Sequence, residues 1–258
     1  LFLLSTISMD NKGVHSYLTS PSFKGLFDFE LHLLHYSILK WKAINGPIYL
    51  VCDKPFADYL DKEGLLSLYD HVVEMHVPFE VDRIKFWAAG KIFAYDQMGV
   101  GYHFIDMDAV IHEPIPDFQE DMMAAHFDWS PLKRRAIGLD DDRNLNGINM
   151  AFSCFKNPDL LEKYVHKAYH YMQNSKEGES WLGGWEHMVY AEQTILADII
   201  REDGLKCAYF RDDNVPTMYH LWSGKQKIID GDLNREDYIS ALKQKIEQWQ
   251  VLYQVSTV

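Results

Sequence analysis

Apolar, strand-like runs alternate with segments of helical period through the first half of this chain, and two of those runs end in aspartate. The second half changes character, with strand-like segments separated by longer polar stretches. Together these features predict an α/β fold with a Rossmann-like first half, a mixed central sheet and helices on both faces.

Taken in order, Leu1 to Ile7 reads as a first strand, Phe27 to Asn45 as a helix, and Pro47 to Cys52 as a strand ending in Asp53. A helix from Lys54 to about Leu68 leads to a strand from His71 to Val77. Val81 to Met98 carries apolar residues at helical spacing, and Tyr102 to Ile111 reads as one buried strand containing Asp106 and Asp108. Strands are then expected at Met122 to Phe127 and Ile148 to Phe155, flanking the polar stretch Leu139 to Asn146. Helices follow at Pro158 to Gln173 and Glu186 to Arg201, a short strand at Cys207 to Phe210, and a charged helix from Arg235 to about Gln250. No internal repeat or low-complexity linker divides the 258 residues, which suit one domain.

Composition narrows the class. With 47% hydrophobic and 24% charged residues the chain reads as a globular protein able to bury a full core. A net charge of −13 without a basic stripe argues against a nucleic-acid partner. Cys52, Cys154 and Cys207 lie far apart in apolar segments, which is neither a disulfide framework nor a zinc cluster. Leu1 to Leu4 is too short for a signal or a span, and no other apolar run reaches bilayer length, so a cytoplasmic protein, peripheral to a membrane at most, is expected.

The chemistry concentrates at Asp106-Met107-Asp108. On an extended chain, residues two apart point to one side, so the two carboxyls are expected to converge. Convergent hard oxygens suit Mg²⁺ or Mn²⁺ with positions left open for phosphate. A bare D-x-D is equally the solvated, acidic end of a strand, with Asp106 an exposed carboxylate of little weight in stability. Asp53 and Asp106 both fall at strand C-termini, the edge where open α/β sheets bind ligands.

The order of a β/α half, an Asp-Met-Asp strand, a later Asn-containing strand, a Glu-Gln helix and a final His220-Leu-Trp-Ser-Gly-Lys225 resembles the GT-A fold glycosyltransferases. The likeness covers nearly the whole chain. It is nearest the retaining group that includes glycogenin and the bacterial lipopolysaccharide galactosyltransferases, and the capsule-type and polysaccharide-type enzymes look similar. The resemblance implies a nucleotide-binding half over 1–108 and an acceptor-binding half with a C-terminal helix over 109–258. It makes Asp106, Asp108 and His220 ligands of Mn²⁺ or Mg²⁺, with Asp106 also near the donor sugar. Lys225 directly follows Gly224, whereas the family leaves two residues between glycine and lysine, so Lys227 fits the diphosphate-binding register better and both are named.

Further roles follow from the same likeness. Glu192-Gln193 resembles the acidic-Gln pair flanking the reacting sugar carbon, with Gln193 near the sugar in a retaining enzyme and Glu192 or Glu186 a base in an inverting one. The helix is also read as plainly packed, with surface acids. Asn149 resembles an asparagine that bonds donor-sugar hydroxyls, with Asn146 an alternative register. Lys85 lies where the family places a basic residue against donor phosphate or sugar, and Thr6, Ser8 and Asp53 are the base and ribose contacts that topology suggests. Trp181-Leu-Gly-Gly-Trp185 suits a loop over an acceptor sugar or a buried anchor.

The expected activity is metal-dependent transfer of a hexose from a nucleotide sugar, UDP-linked above others, to a hydroxyl of a glycan or lipid-linked saccharide, with retention favoured. Two other readings stay open. A sugar-phosphate nucleotidyltransferase would need a Gly-rich, basic triphosphate loop, of which Ser8 to Gly13 is a poor version. A transferase-like domain that only binds glycan or nucleotide would need no metal.

Overall fold

The computed structural model describes residues 11–130, 133–137, 139, 143–175, 185–210 and 217–256. Seven strands form one mixed sheet: β1 (Lys12–Tyr17), β2 (Ile48–Cys52), β3 (His71–Glu74), β4 (Tyr102–Ile105), β6 (Met122–Asp128), β7 (Gly147–Phe155) and β8 (Cys207–Tyr209). Their order is β3-β2-β1-β4-β7-β6-β8. The first four run parallel, β7 is antiparallel to both β4 and β6, and β8 runs parallel to β6. A second, two-stranded antiparallel sheet pairs β5 (Ala109–Ile111) with β9 (Met218–His220).

Helices α1 (Asp28–Ile44) and α2 (Lys54–Lys62) cover one face, and α3 (Ala89–Met98), α4 (Pro158–Asn174) and α6 (Ile195–Asp203) the other. The period of two explains the sorting: Val51, Phe104 and Met150 point into one core layer, while Leu50, Ile105 and Ala151 point into the opposite one. A third cluster seats α1 against α8 (Arg235–Ser256) through Phe29, Leu33, Leu242 and Ile246. The mixed α/β architecture with helices on both faces is the one expected. Among the described residues no helix is long and apolar enough to cross a membrane.

Three expectations need correction, and a fourth falls outside the described residues. The first strand of the described sheet is Lys12–Tyr17, and the expected strand at Leu1 to Ile7 lies outside the described residues. Gly13 stands second in this strand, where the Trp41 indole fills the space beside it: a Cβ there would stand 2.6 Å from the ring. Of the stretch Ser8 to Gly13, the described Lys12 and Gly13 belong to this strand, Lys12 paired with β4 and Gly13 with both β2 and β4. The segment expected as a helix from Val81 begins as turns, with the Asp82 carboxylate accepting the N–H groups of Ile84 and Lys85 at 3.0 Å each, and becomes helical only at Ala89. The expected helix to Leu68 stops at Lys62, near Gly64, which takes a φ of +73°.

The third correction matters most. Tyr102 to Ile111 is two strands, β4 in the large sheet and β5 in the small one. The chain turns between them, with the Ala109 N–H donating to the Asp106 carbonyl at 2.9 Å. Asp106 and Asp108 thus converge through a turn rather than by alternation along a strand.

Buried histidines set the acid behaviour of this core. His15, enclosed in β1 and bonded to the Tyr69 hydroxyl at 2.9 Å, has its pKa lowered by burial to about 3. His103 in β4 is lowered by burial to about 4. The unfolded chain takes up these protons below about pH 6.5 and the folded protein does not, so stability is present above that pH and lost as pH falls. We expect unfolding free energy to drop by about 1.4 kcal/mol per pH unit for each of these histidines between pH 6.5 and 5. A urea-denaturation series flat over that window would contradict their burial.

Candidate metal and diphosphate site

The site lies at the C-terminal edge of the parallel strands, and each element that reaches it does so for a local reason. Asp106 ends β4 with its N–H donating to the Ala151 carbonyl of β7 at 2.8 Å. Register then delivers the histidine: β5 pairs with β9 so that Ala109 stands opposite His220, and Leu221 N–H donates to the Asp108 carbonyl at 3.1 Å. Helix α7 (Trp222–Ile229) starts immediately afterwards and carries Lys225 in its first turn.

These residues meet in space. His220 Nε2 lies 3.4 Å from Asp108 Oδ1 and 3.7 Å from Asp106 Oδ2. One ligand atom from each of the three falls within 4.8 Å of the others. Lys225 Nζ sits 3.1 Å from Asp108 Oδ2 and 3.0 Å from Glu30 Oε1. The second oxygen of Glu30 accepts the Phe27 N–H at 3.0 Å, capping α1.

The electrostatics follow from this crowding. Burial pushes the Asp108 carboxyl up, but the His220 ring beside it and the Lys225 charge outweigh it and hold the pKa well below the usual range. Burial alone would lower His220, yet the Asp108 carboxylate and then Asp106 raise it. Burial likewise opposes the Lys225 charge, and Asp108 and Glu30 raise it above the ordinary lysine value.

The donor set fits a divalent cation. His220 Nε2 is buried without a hydrogen-bond partner among the described residues, facing two carboxylate oxygens. Two hard oxygens and one imidazole nitrogen on one side suit Mn²⁺, and also Mg²⁺, with remaining positions left to phosphate and water.

The cluster floors a cleft of about 420 Å³ walled by Tyr17, Glu30, Arg83, Trp87 and Lys91. Two roomier clefts of about 840 and 810 Å³ lie along α4, one lined by Tyr95 and Tyr169 and the other by Tyr171 and Tyr190. We place the chemistry in the smaller one, because it alone of these three is lined by the three converging metal-ligand candidates. Asp53 stands at its edge, its Oδ2 accepting from the Thr19 N–H at 3.1 Å and the Thr19 hydroxyl at 2.5 Å, with Arg83 3.6 Å away.

Other expected residues fall elsewhere. Thr6, Ser8 and Trp181 to Gly184 lie outside the described residues. Leu18, Thr19 and Ser20 follow the C-terminal end of β1. Lys85 reaches the Ser175 carbonyl at 3.4 Å and does not line the cleft, whose lysine and arginine side chains are Arg83, Lys91 and Lys225. Lys227 is exposed on α7, turned away from the lysine that pairs with Asp108, so Lys225 is the one brought to the cluster. Asn146 accepts the Ser130 N–H at 2.9 Å and lines a different surface cleft.

Asn149 donates to Asp128 Oδ2 at 2.9 Å and accepts the Ala151 N–H at 3.0 Å, two residues from the strand position that holds Asp106. Asp128 in turn pairs with His126 at 2.9 Å. Burial raises the Asp128 carboxyl, and the His126 and Asn149 hydrogen bonds reverse this, with His220 contributing. Neither Asp128 nor Glu30 was expected, and their sequence surroundings give little signal.

Glu192 and Gln193 lie in a π-turn (Tyr190–Thr194) between α5 (Trp185–Val189) and α6. The Tyr164 hydroxyl takes the Glu192 carbonyl at 2.8 Å. Gly147 lets the turn approach β7: a Cβ there would stand 2.6 Å from Gln193 Cβ. Glu192 is buried, not a surface acid, and its carboxylate pairs with Lys91 at 2.5 Å. Burial raises the Glu192 pKa, and the Lys91 charge works against that rise. Lys91 pairs as well with Asp106, whose side chain is 24% exposed, so Asp106 is a half-buried ion-pair partner rather than an exposed carboxylate. The signal for Lys91 was legible: one lysine stands inside the apolar run Ala88 to Ala94.

No family model matches the chain, and no curated protein matches it. Among solved structures it is similar to the glycosyltransferase GlyE of Streptococcus pneumoniae TIGR4, at 10% identity and a TM-score of 0.42, over 81% of this chain and 54% of that one. The apo form of the same glycosyltransferase is similar at 10% identity and a TM-score of 0.42, over 76% of this chain and 44% of that one. The chain spans about half the length of the solved structures it matches.

Mn²⁺ titration in a thermal-shift assay checks the cation assignment. A saturating concentration of about a hundred times Kd is expected to stabilise the wild type by about 2.7 kcal/mol. Asp108→Asn is expected to abolish that shift, and a variant that responds as the wild type does would remove Asp108 from the ligand set.

Proposed function

We propose that this protein is a glycosyltransferase that uses a divalent cation to transfer a hexose from a nucleoside-diphosphate sugar to a hydroxyl of a glycan or lipid-linked saccharide. The observation that carries this reading is the convergence of Asp106, Asp108, His220 and Lys225 at the C-terminal edge of the parallel strands of the sheet, where α/β folds take nucleotides. The D-x-D and His-x-x-x-Gly-Lys resemblance to GT-A enzymes supports it in the same residues.

Asp106, Asp108 and His220 would hold the cation, Mn²⁺ or Mg²⁺. When bound, it supplies positive charge to the diphosphate oxygens as the sugar bond breaks. Lys225 adds a fixed ammonium on the same side, and Arg83, held 3.6 Å from Asp53 at the cleft edge, lines the wall where the nucleoside would lie. Asn149 lies on β7 beside β4, and Asp128 lies on β6 one strand further, about 10 Å from Asp106 at ordinary strand spacing, where sugar hydroxyls would be met.

Retention is favoured over inversion. Glu192 is enclosed and paired with Lys91, which counts against its serving as a mobile base for an acceptor hydroxyl. Gln193, beside it, is a neutral neighbour for the sugar face. We assign the protein to the cytoplasm, in keeping with three free cysteines, two of them buried. UDP is the nucleotide we favour, on the family resemblance.

The experiment is a thermal-shift panel of UDP, GDP, CDP and ADP, each with and without Mn²⁺. One nucleotide is expected to stabilise the protein only when Mn²⁺ is present, and Lys225→Met is expected to weaken its binding about tenfold or more. Equal, metal-independent responses to all four, or none, would defeat the transferase reading and favour a domain that binds glycan alone.

A further inference from the structure

Lys91 is the most enclosed cation in the cleft, with a side chain only 9% exposed, and no assignment above gives it a role toward the reacting groups. An ammonium has three N–H donors. All three are engaged: one with Asp106 Oδ1, one with Glu192 Oε1 at 2.5 Å, and one with the Met150 carbonyl at 3.1 Å. A lysine so saturated has no donor left for phosphate or sugar.

Its partners belong to three different elements. Asp106 follows β4, Met150 lies in β7 and Glu192 in the π-turn, while Lys91 itself stands on α3. The bond also divides the two oxygens of Asp106, since Oδ1 goes to Lys91 and Oδ2 faces His220.

Building on the metal-dependent reading above, we propose that Lys91 is a positioning residue: it pins Asp106 so that Oδ2 alone is offered to the cation, and ties that carboxylate to the turn carrying Gln193. Position and charge predict opposite outcomes. Lys91 stands closer to Asp106 than Glu192 does, so removing both as a neutral pair leaves the site slightly more negative and favours a cation on charge alone. Losing the orientation of a ligand carboxylate disfavours it, by ten- to a hundredfold for outer-shell partners of this kind.

The test is the Mn²⁺ dissociation constant, read from the free-ion EPR signal of full-length protein without nucleotide or turnover. Lys91→Met/Glu192→Gln removes a cation and an anion together, so neither is left buried alone. Its affinity is expected to fall about tenfold or more while circular dichroism stays that of the wild type. Affinity equal to or tighter than wild type would overturn the role of Lys91 and leave the metal site standing. A wild type that binds no Mn²⁺ would instead overturn the metal reading itself, and this role with it. If the double variant does not fold, Lys91→Arg decides. Its planar fork keeps the charge but cannot aim at the same three acceptors, and a loss of about threefold or more is expected, whereas an unchanged constant would overturn the proposal.

Discussion

The turn at Asp106-Met107-Asp108 is the constraint on which the site depends. Had the chain run straight through, Asp108 would have continued along the main sheet edge with no register to bring a histidine opposite it. By turning, the chain starts β5, recruits β9 by antiparallel pairing and brings His220 against both carboxylates. The same pairing fixes where α7 begins, and hence where Lys225 points.

Concentrating this much charge beneath a sheet edge is costly unless each group has a partner. Here the acids and bases alternate: Glu30, Lys225, Asp108, His220, Asp106, Lys91 and Glu192 form a continuous chain of contacts through the cleft. His220 Nε2 is the link without a hydrogen bond among the described residues, which marks it as the place where an added cation relieves rather than adds strain.

Much of this was legible from sequence, and the failures have physical causes. Alternation of β and α segments, the edge position of Asp53 and Asp106, and the pairing of Asp106 with Asp108 all follow from local pattern. The strand Lys12–Tyr17 was missed because its polar His15 and Ser16 mask its central position. Apolar continuity hid the break at Asp106, since Ala109 to Ile111 is buried too, in a different sheet. Lys85 and Lys227 were favoured by spacing, but helical rotation, not spacing along the chain, decides which lysine faces an acid.

Glu30 lies in the first helix and Lys225 in the seventh, and their ion pair joins segments near opposite ends of the described chain. Such a site has no local precursor. Loop-closure entropy must be met across most of the polypeptide before the last ligand arrives, so the cluster forms at the end of folding. Cation binding in this protein is consequently a report on its global tertiary structure: partly folded species lacking the β5–β9 pairing retain the D-x-D but not its histidine.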